Sequence, residues 1–138
     1  MQITRQADYA VRAIMYLAQL GPDEKAATSQ IAEEQEIPLS FLAKIIAQLS
    51  VAGLLQTMRG ARGGVTLARA PEDISLLEVV EAIDGPIQLN ECVNGSYDCP
   101  MSTCLMRKVW REAQVDLVER LRTTNFGEHV RRREAVPH

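Results

Sequence analysis

Residues 29–68 read SQIAEEQEIPLSFLAKIIAQLSVAGLLQTMRGARGGVTLA. Three patterns follow one another in this stretch. Ser29 is a good N-cap for a short helix over 30–35, with Ile31 and Ala32 facing inward. A tight break at Glu36 and Ile37 leads to Pro38, which suits the first position of a second helix because its missing N–H has no partner there anyway. That helix is expected over 38–52. Leu42, Ile45, Ile46 and Leu49 recur at three- and four-residue steps on its core face. Ser40, Ala43, Lys44, Ala47 and Gln48 lie on the other face, and Gly53 ends it. Two short helices joined by a short turn make a helix-turn-helix. Two strands follow, over 54–59 and 65–68, around the glycine-rich tip Gly60-Ala61-Arg62-Gly63-Gly64. A hairpin directly after a recognition helix is a wing. Arg59 and Arg62 stand where a wing meets the DNA backbone or minor groove, and Gly60 and Gly63 permit close approach. A nucleotide-phosphate loop is disfavoured by context. It would need Gly-Lys-Ser/Thr opening a helix, and this loop returns to a strand.

On the N-terminal side, Thr4 can cap a helix running to about Leu20, with Ala7, Ala10, Val11, Ile14, Met15, Leu17 and Ala18 as its buried stripe. Gly21-Pro22-Asp23 stops it. Asp8 and Arg12 lie one turn apart, where a first-turn acid suits the helix dipole and pairs with the arginine. After the wing, Ser75-Leu76-Leu77-Glu78 is a capping box for a helix ending near Ile83, before Asp84-Gly85-Pro86. From about 103 to 122 the pattern is helical again, with Met106, Val109, Trp110, Ala113, Leu117 and Leu121 as one stripe and Asp116 and Arg120 spaced to pair outside. A helix of about 20 residues spans about 30 Å. That is long for so small a chain, so part of the stripe is expected to pack on a second subunit. Thr124 is placed to cap a last short helix.

The fold class expected is therefore mainly α with a small β-hairpin wing: a winged helix-turn-helix plus a long C-terminal dimerisation helix. The expected organisation is a reading head over 1–85, a cysteine loop over 86–104, and a dimerisation helix and tail over 105–138. The chain has 138 residues, 46% hydrophobic, 24% charged and 4% aromatic, so aliphatic side chains fill the core. The net charge is −3. Residues 1–70 carry seven Lys/Arg against six Asp/Glu, and 71–138 carry eight against twelve. DNA contact must come from a few well-placed cations in the first half. No apolar run is long enough for a membrane span and Met1 opens no signal-peptide pattern, so a cytoplasmic protein is expected. No paired catalytic carboxylates are present, and the chain is not expected to be an enzyme.

All three cysteines, Cys92, Cys99 and Cys104, fall in one loop with six and four residues between them. In the cytoplasm such clustering points to metal or redox chemistry rather than disulfides. Thiolates suit iron–sulfur clusters, zinc and Cu(I). The paired C-x2-C knuckles usual in structural zinc sites are missing. Three thiolates leave one ligand to be found. Spacing alone leaves zinc, an iron–sulfur cluster and three reduced thiols open.

The chain resembles the Rrf-type family, the IscR-, NsrR- and CymR-like winged-helix transcription regulators. The resemblance is carried by Ile3 and Thr4 with Asp8-Tyr9-Ala10-Val11-Arg12-Ala13, by Ile31-Ala32 and Ile37-Pro38-Leu39-Ser40-Phe41-Leu42, and by Leu49 with Gly53-Leu54. Arg59-Gly60 with Gly63-Gly64, Ile74-Ser75-Leu76-Leu77-Glu78-Val79, Ala82-Ile83, and the cysteines with Trp110 complete it. It implies a homodimer bound to a pseudo-palindromic double-stranded DNA operator. Ser40 and Lys44 would approach the major groove, Ser29 and Gln30 the phosphates, and the wing the backbone or minor groove. Position 43, where some relatives carry a discriminating acid, is Ala. The resemblance also implies a [2Fe–2S] or [4Fe–4S] cluster on Cys92, Cys99 and Cys104, responding to redox state, nitric oxide or iron and cluster supply. Some relatives take the fourth ligand from a histidine three residues after the last cysteine, where this chain has Arg107. Others use an acid of the first helix from the partner subunit, and Asp8 matches it. Relatives with a histidine one turn later have Arg12 here. The cysteine spacing is nearly even in relatives and uneven here. The alternatives are a cluster-free winged-helix regulator acting through a protein partner, and a thiol- or zinc-based sensor. A plain electron-transfer protein does not explain the winged-helix pattern.

Overall fold

The first helix organises the molecule. In the computed structural model, which describes residues 2–20, 24–60, 63–89, 105–128 and 130, α1 spans Arg5–Ala18. Thr4 caps it: its hydroxyl accepts from the Ala7 N–H at 3.1 Å and donates to Asp84 Oδ1 at 2.5 Å. One side chain thus closes the start of α1 and ties it to the end of α4 (Leu76–Asp84). Thr4→Ala removes the cap and the hydroxyl contact to Asp84, leaving only the backbone N–H contact to that carboxylate at 3.3 Å. It should lower the unfolding free energy by about 1–2 kcal/mol, read as a shift of the urea midpoint.

α1 packs against α4, against α2 (Thr28–Gln35), against α3 (Leu39–Val51) and against β2 (Gly64–Leu67). Ile14, Ile31, Leu42, Ile45, Leu49 and Leu54 are fully buried among them. Each such side chain stabilises the fold by about 1.5–3 kcal/mol relative to exposure. All four residues assigned to the core face of α3 are buried.

Two helix starts differ from expectation. α2 begins at Thr28, with Ala27 as its N-cap, so Ser29 lies inside the first turn rather than capping it. The cause is tertiary. Ala26 is held to Val65 by two backbone bonds of 3.2 and 2.8 Å, and the Ala27 carbonyl immediately accepts from Gln30 and Ile31. Pro38 is the N-cap of α3 rather than its first helical residue, with φ −56° and ψ 130°. Glu36, at φ 54°, is the left-handed residue that closes α2 and turns the chain.

The wing pairs β1 (Leu55–Met58) antiparallel with β2, in register from Leu55 opposite Leu67 to Met58 opposite Gly64. β1 is shorter than the sequence pattern implied, whereas β2 has the expected length and begins one residue earlier, at Gly64. An isolated two-stranded ribbon is marginal. This one is anchored because Leu54, Leu55 and Val65 are buried and the Ala26–Val65 bridge ties β2 to the segment before α2.

α4 carries the expected capping box. Ser75 Oγ accepts from the Glu78 N–H at 3.1 Å, and Glu78 accepts from the Ser75 N–H at 3.0 Å. Burial pushes the Glu78 carboxyl up. The Ser75 backbone and the Arg69 guanidinium, 3.0 Å away, pull it down further, and the net is below the usual range. The box is therefore at full strength at neutral pH and weakens only as acid protonates the carboxylate.

α5 runs over Leu105–Thr123, and no residue in it is buried. Its lower half leans on α4: Leu117, Val118 and Leu121 pack against Leu77, Val80 and Ile87. Its upper half exposes Leu105, Met106, Val109, Trp110 and Val115. Among the described residues the ion pair on this helix joins Arg122 to Glu119 rather than Arg120 to Asp116. Beyond it, Asn125 takes the capping role expected of Thr124. Its side chain accepts from the Glu128 N–H at 2.9 Å, while the Thr124 hydroxyl donates back to the Arg120 carbonyl at 2.8 Å. The tail over 131–138 lies outside the described residues.

Candidate nucleic-acid interface and sensor residues

The described residues expected to read DNA lie on three elements: α3, α2 and the wing. On α3, Ser40 and Lys44 are both exposed and one turn apart. On α2, Ser29 and Gln30 are exposed in the first turn. Gln30 Nε2 donates to the Tyr16 hydroxyl at 3.0 Å, which fixes α2 to α1. Burial, and then the neighbouring Glu34, push the Tyr16 phenol above its usual range. On the wing, Arg59 and Gly60 are exposed just past β1, and Arg62 lies outside the described residues. Gly60 has φ +99°, and its carbonyl accepts from the Gly63 N–H at 2.9 Å. Any Cβ on Gly63 would stand 2.2 Å from the Met58 carbonyl oxygen. Glycine is thus required at both positions, at Gly60 by conformation and at Gly63 by space.

Asp8 is on the surface of α1, its side chain 58% exposed. It forms the expected pair with Arg12, at 3.1 and 3.2 Å from two guanidinium nitrogens. Arg12 does more than the spacing foretold. Its Nη1 also donates to the Gln35 carbonyl at 3.1 Å, and its guanidinium lies 5.0 Å from the centre of the Tyr9 ring. Gln35 is the last residue of α2, so this arginine closes a helix end beside the helix-turn-helix bend while holding Asp8. The i,i+4 half of this arrangement was in the sequence, whereas the α2 carbonyl had no sequence signal.

Cys92, Cys99 and Cys104 lie outside the described residues, and among the described residues no group of three His, Cys, Asp or Glu could hold a metal. The chain is held on the N-terminal side of their loop. Ile87 is buried between α4 and α5, and the Leu89 N–H donates to Gln114 Oε1 at 2.9 Å. α5 resumes at Leu105. No described helix is long and apolar enough to cross a membrane.

Comparison with known proteins gives these observations a context. The Rrf2 family, described as iron-dependent transcriptional regulators, matches residues 3–132. The HTH-type transcriptional regulator NsrR of Halalkalibacterium halodurans is 34% identical over 111 residues, covering 80% of this chain and 73% of that protein. Among solved structures, IscR of T. potens superposes with a TM-score of 0.81 at 25% identity, covering all of this chain and 93% of the other. CymR, the global cysteine regulator of B. subtilis, gives 0.81 at 20% identity, over 94% of this chain and 96% of that one, a likeness of fold.

Proposed function

This chain belongs to the Rrf2 family of transcription regulators and is not an enzyme, and from that premise we propose that it is an operator-binding regulator whose DNA affinity is set by an iron–sulfur cluster. Cys92, Cys99 and Cys104 would hold the cluster, with Asp8 of the partner subunit as fourth ligand. Three thiolates and one carboxylate suit iron, and Asp8 stands outside the core where a group from another subunit can reach it. Such a cluster supplies reactivity toward oxidants and nitric oxide when bound.

The observation that carries the coupling is Arg12. Asp8 and the end of α2 share one guanidinium. Whatever engages Asp8 takes a charge partner from Arg12, and Arg12 then bonds differently to the carbonyl that closes α2. The reading helix α3 begins a few residues later. Two arrangements of Arg12 would thus bias two placements of the reading helix, which is what linkage between a sensor and an operator requires.

DNA contact is assigned to Ser40 and Lys44 in the major groove, to Ser29 and Gln30 at phosphates, and to Arg59, Gly60, Arg62 and Gly63 at the backbone or minor groove. The exposed upper half of α5, with Met106, Val109 and Trp110, is assigned to a second copy. The resulting two-fold dimer would read a pseudo-palindrome. The division into a head over 1–85, a cysteine loop over 86–104 and a dimerisation segment over 105–138 follows the same assignment.

The test is protein purified without oxygen. Wild type should be coloured and contain iron and sulfide. Cys92→Ala should be colourless, with operator affinity changed by tenfold or more, about 1.4 kcal/mol. A colourless wild type that binds zinc or carries free thiols points to a thiol- or zinc-based sensor instead. Unchanged absorbance and unchanged affinity in Cys92→Ala end the cluster reading.

A further inference from the structure

The solvent face of α3 is unusually short of polar atoms for a surface meant to read bases. Opposite the buried Leu42, Ile45, Ile46 and Leu49 lie Ser40, Ala43, Lys44, Ala47 and Val51, every one of them exposed. With the half-buried Gln48 beside them, that face offers one hydroxyl, one ammonium, one partly accessible amide and three apolar groups, with Val51 at its far end 91% exposed. Two exposed hydrogen-bonding side chains and one half-buried amide leave much of a half-site unread by donor and acceptor matching.

The alanines bring a different chemistry. In the major groove the apolar feature of a base edge is the thymine C5-methyl group, and alanine methyls are among the side chains that contact it. An exposed alanine facing any other edge would cover a donor or acceptor and give it no partner, which disfavours that base. Ala43 and Ala47 are four residues apart, about 6 Å along the helix axis, or about two base steps. Ser40 and Lys44 flank Ala43 by three residues and one, so the polar contacts and the methyl contacts fall on one short run of bases. The small side chains also let the helix backbone come close to the groove floor. The wing cations then supply sequence-independent affinity while α3 supplies discrimination.

We propose that Ala43 and Ala47 are specificity-determining residues that read thymine methyl groups in each operator half-site; this rests on the DNA-binding reading above. The experiment is selection of duplexes from a random pool by the full chain purified without oxygen, followed by binding to the selected operator with thymine replaced by deoxyuridine. The replacement removes only the methyl. Selected half-sites should hold thymines about two steps apart. Each thymine-to-uracil change there should weaken binding about fourfold. In Ala43→Gly and Ala47→Gly the effect of the matching replacement should vanish. Any helix destabilisation by glycine is common to both duplexes and cancels in the comparison. Equal binding of thymine and uracil operators overturns the inference and leaves DNA binding standing. So does a thymine preference that survives unchanged in both glycine variants, because the methyl would then be read elsewhere or through DNA shape. If no duplex is retained, the DNA-binding reading itself falls and this inference with it.

Discussion

Phe126→Ala is expected to lower the unfolding free energy by about 3–5 kcal/mol, seen as a fall in the urea midpoint with the slope unchanged, at fixed protein concentration. The residue comes after the end of α5, where a solvated tail would be expected to tolerate change. It is nevertheless 4% exposed and sits in the main core with Ile74 and Val79. Its backbone N–H donates to the Ile74 carbonyl at 3.3 Å, and the Leu76 N–H donates to the Thr124 carbonyl at 2.8 Å. Gly127 is pressed against Glu72, whose Cγ a Cβ would meet at 2.6 Å. The chain after α5 is thus clipped onto the segment that starts α4. Removing the ring leaves a hole lined by residues held on two sides by backbone bonds, which limits collapse and favours the upper part of the range. A loss under about 1 kcal/mol would mean that this turn contributes little to the core. A loss in the expected range would mean that the orientation of α5 is fixed at its C-terminal end by the reading head itself. A displacement of α5 would then be transmitted to the helices it is clipped to rather than absorbed in a loose joint.

What could be read from the sequence was what repeats locally. The core face of α3, the capping box at Ser75 and Glu78, and the glycines at the wing tip each follow from spacing or from a backbone requirement within a few residues. What could not be read was set by partners distant in sequence. Ser29 looks like a cap, but the Ala26–Val65 bridge decides where α2 begins. Phe126 is one of two phenylalanines and belongs to no periodic stripe, so nothing in its own neighbourhood marks it as core. Arg12 was legible as a partner for Asp8 one turn away, and illegible as a ligand of the Gln35 carbonyl. The stripe of α5 had the right period, yet periodicity does not say which half packs on its own chain and which half stays exposed. For the cysteines, residue type suits soft-metal chemistry, while spacing alone leaves zinc, an iron–sulfur cluster and three reduced thiols open.

Gly63→Ala is expected to weaken operator binding by about 10- to 100-fold while leaving the melting temperature nearly unchanged. The added methyl would stand 2.2 Å from the Met58 carbonyl oxygen and 2.9 Å from the Gly60 oxygen, both backbone atoms that cannot swing aside as a side chain would. The tip must therefore open, breaking the bond from the Gly63 N–H to the Gly60 carbonyl. Gly60 is exposed and Gly63 half-buried, and the wing is anchored lower down, at Leu54, Leu55 and Val65. Opening it therefore costs little folding free energy. It does move Arg59, the described wing cation beside the tip, out of register with α3. A phosphate or minor-groove contact depends on the distance between wing and reading helix, so the loss appears in binding: about 1.4–2.7 kcal/mol for the stated range. Gly60→Ala separates conformation from space. Gly60 has open space around its Cβ position but φ +99°, so alanine there strains the backbone without a clash and should weaken binding less. Because the lost contact is electrostatic, the Gly63→Ala protein should also show a shallower dependence of affinity on salt. Wild-type affinity with a lowered melting temperature would invert the assignment. The wing tip would then serve the fold, and DNA contact would rest on α2 and α3 alone.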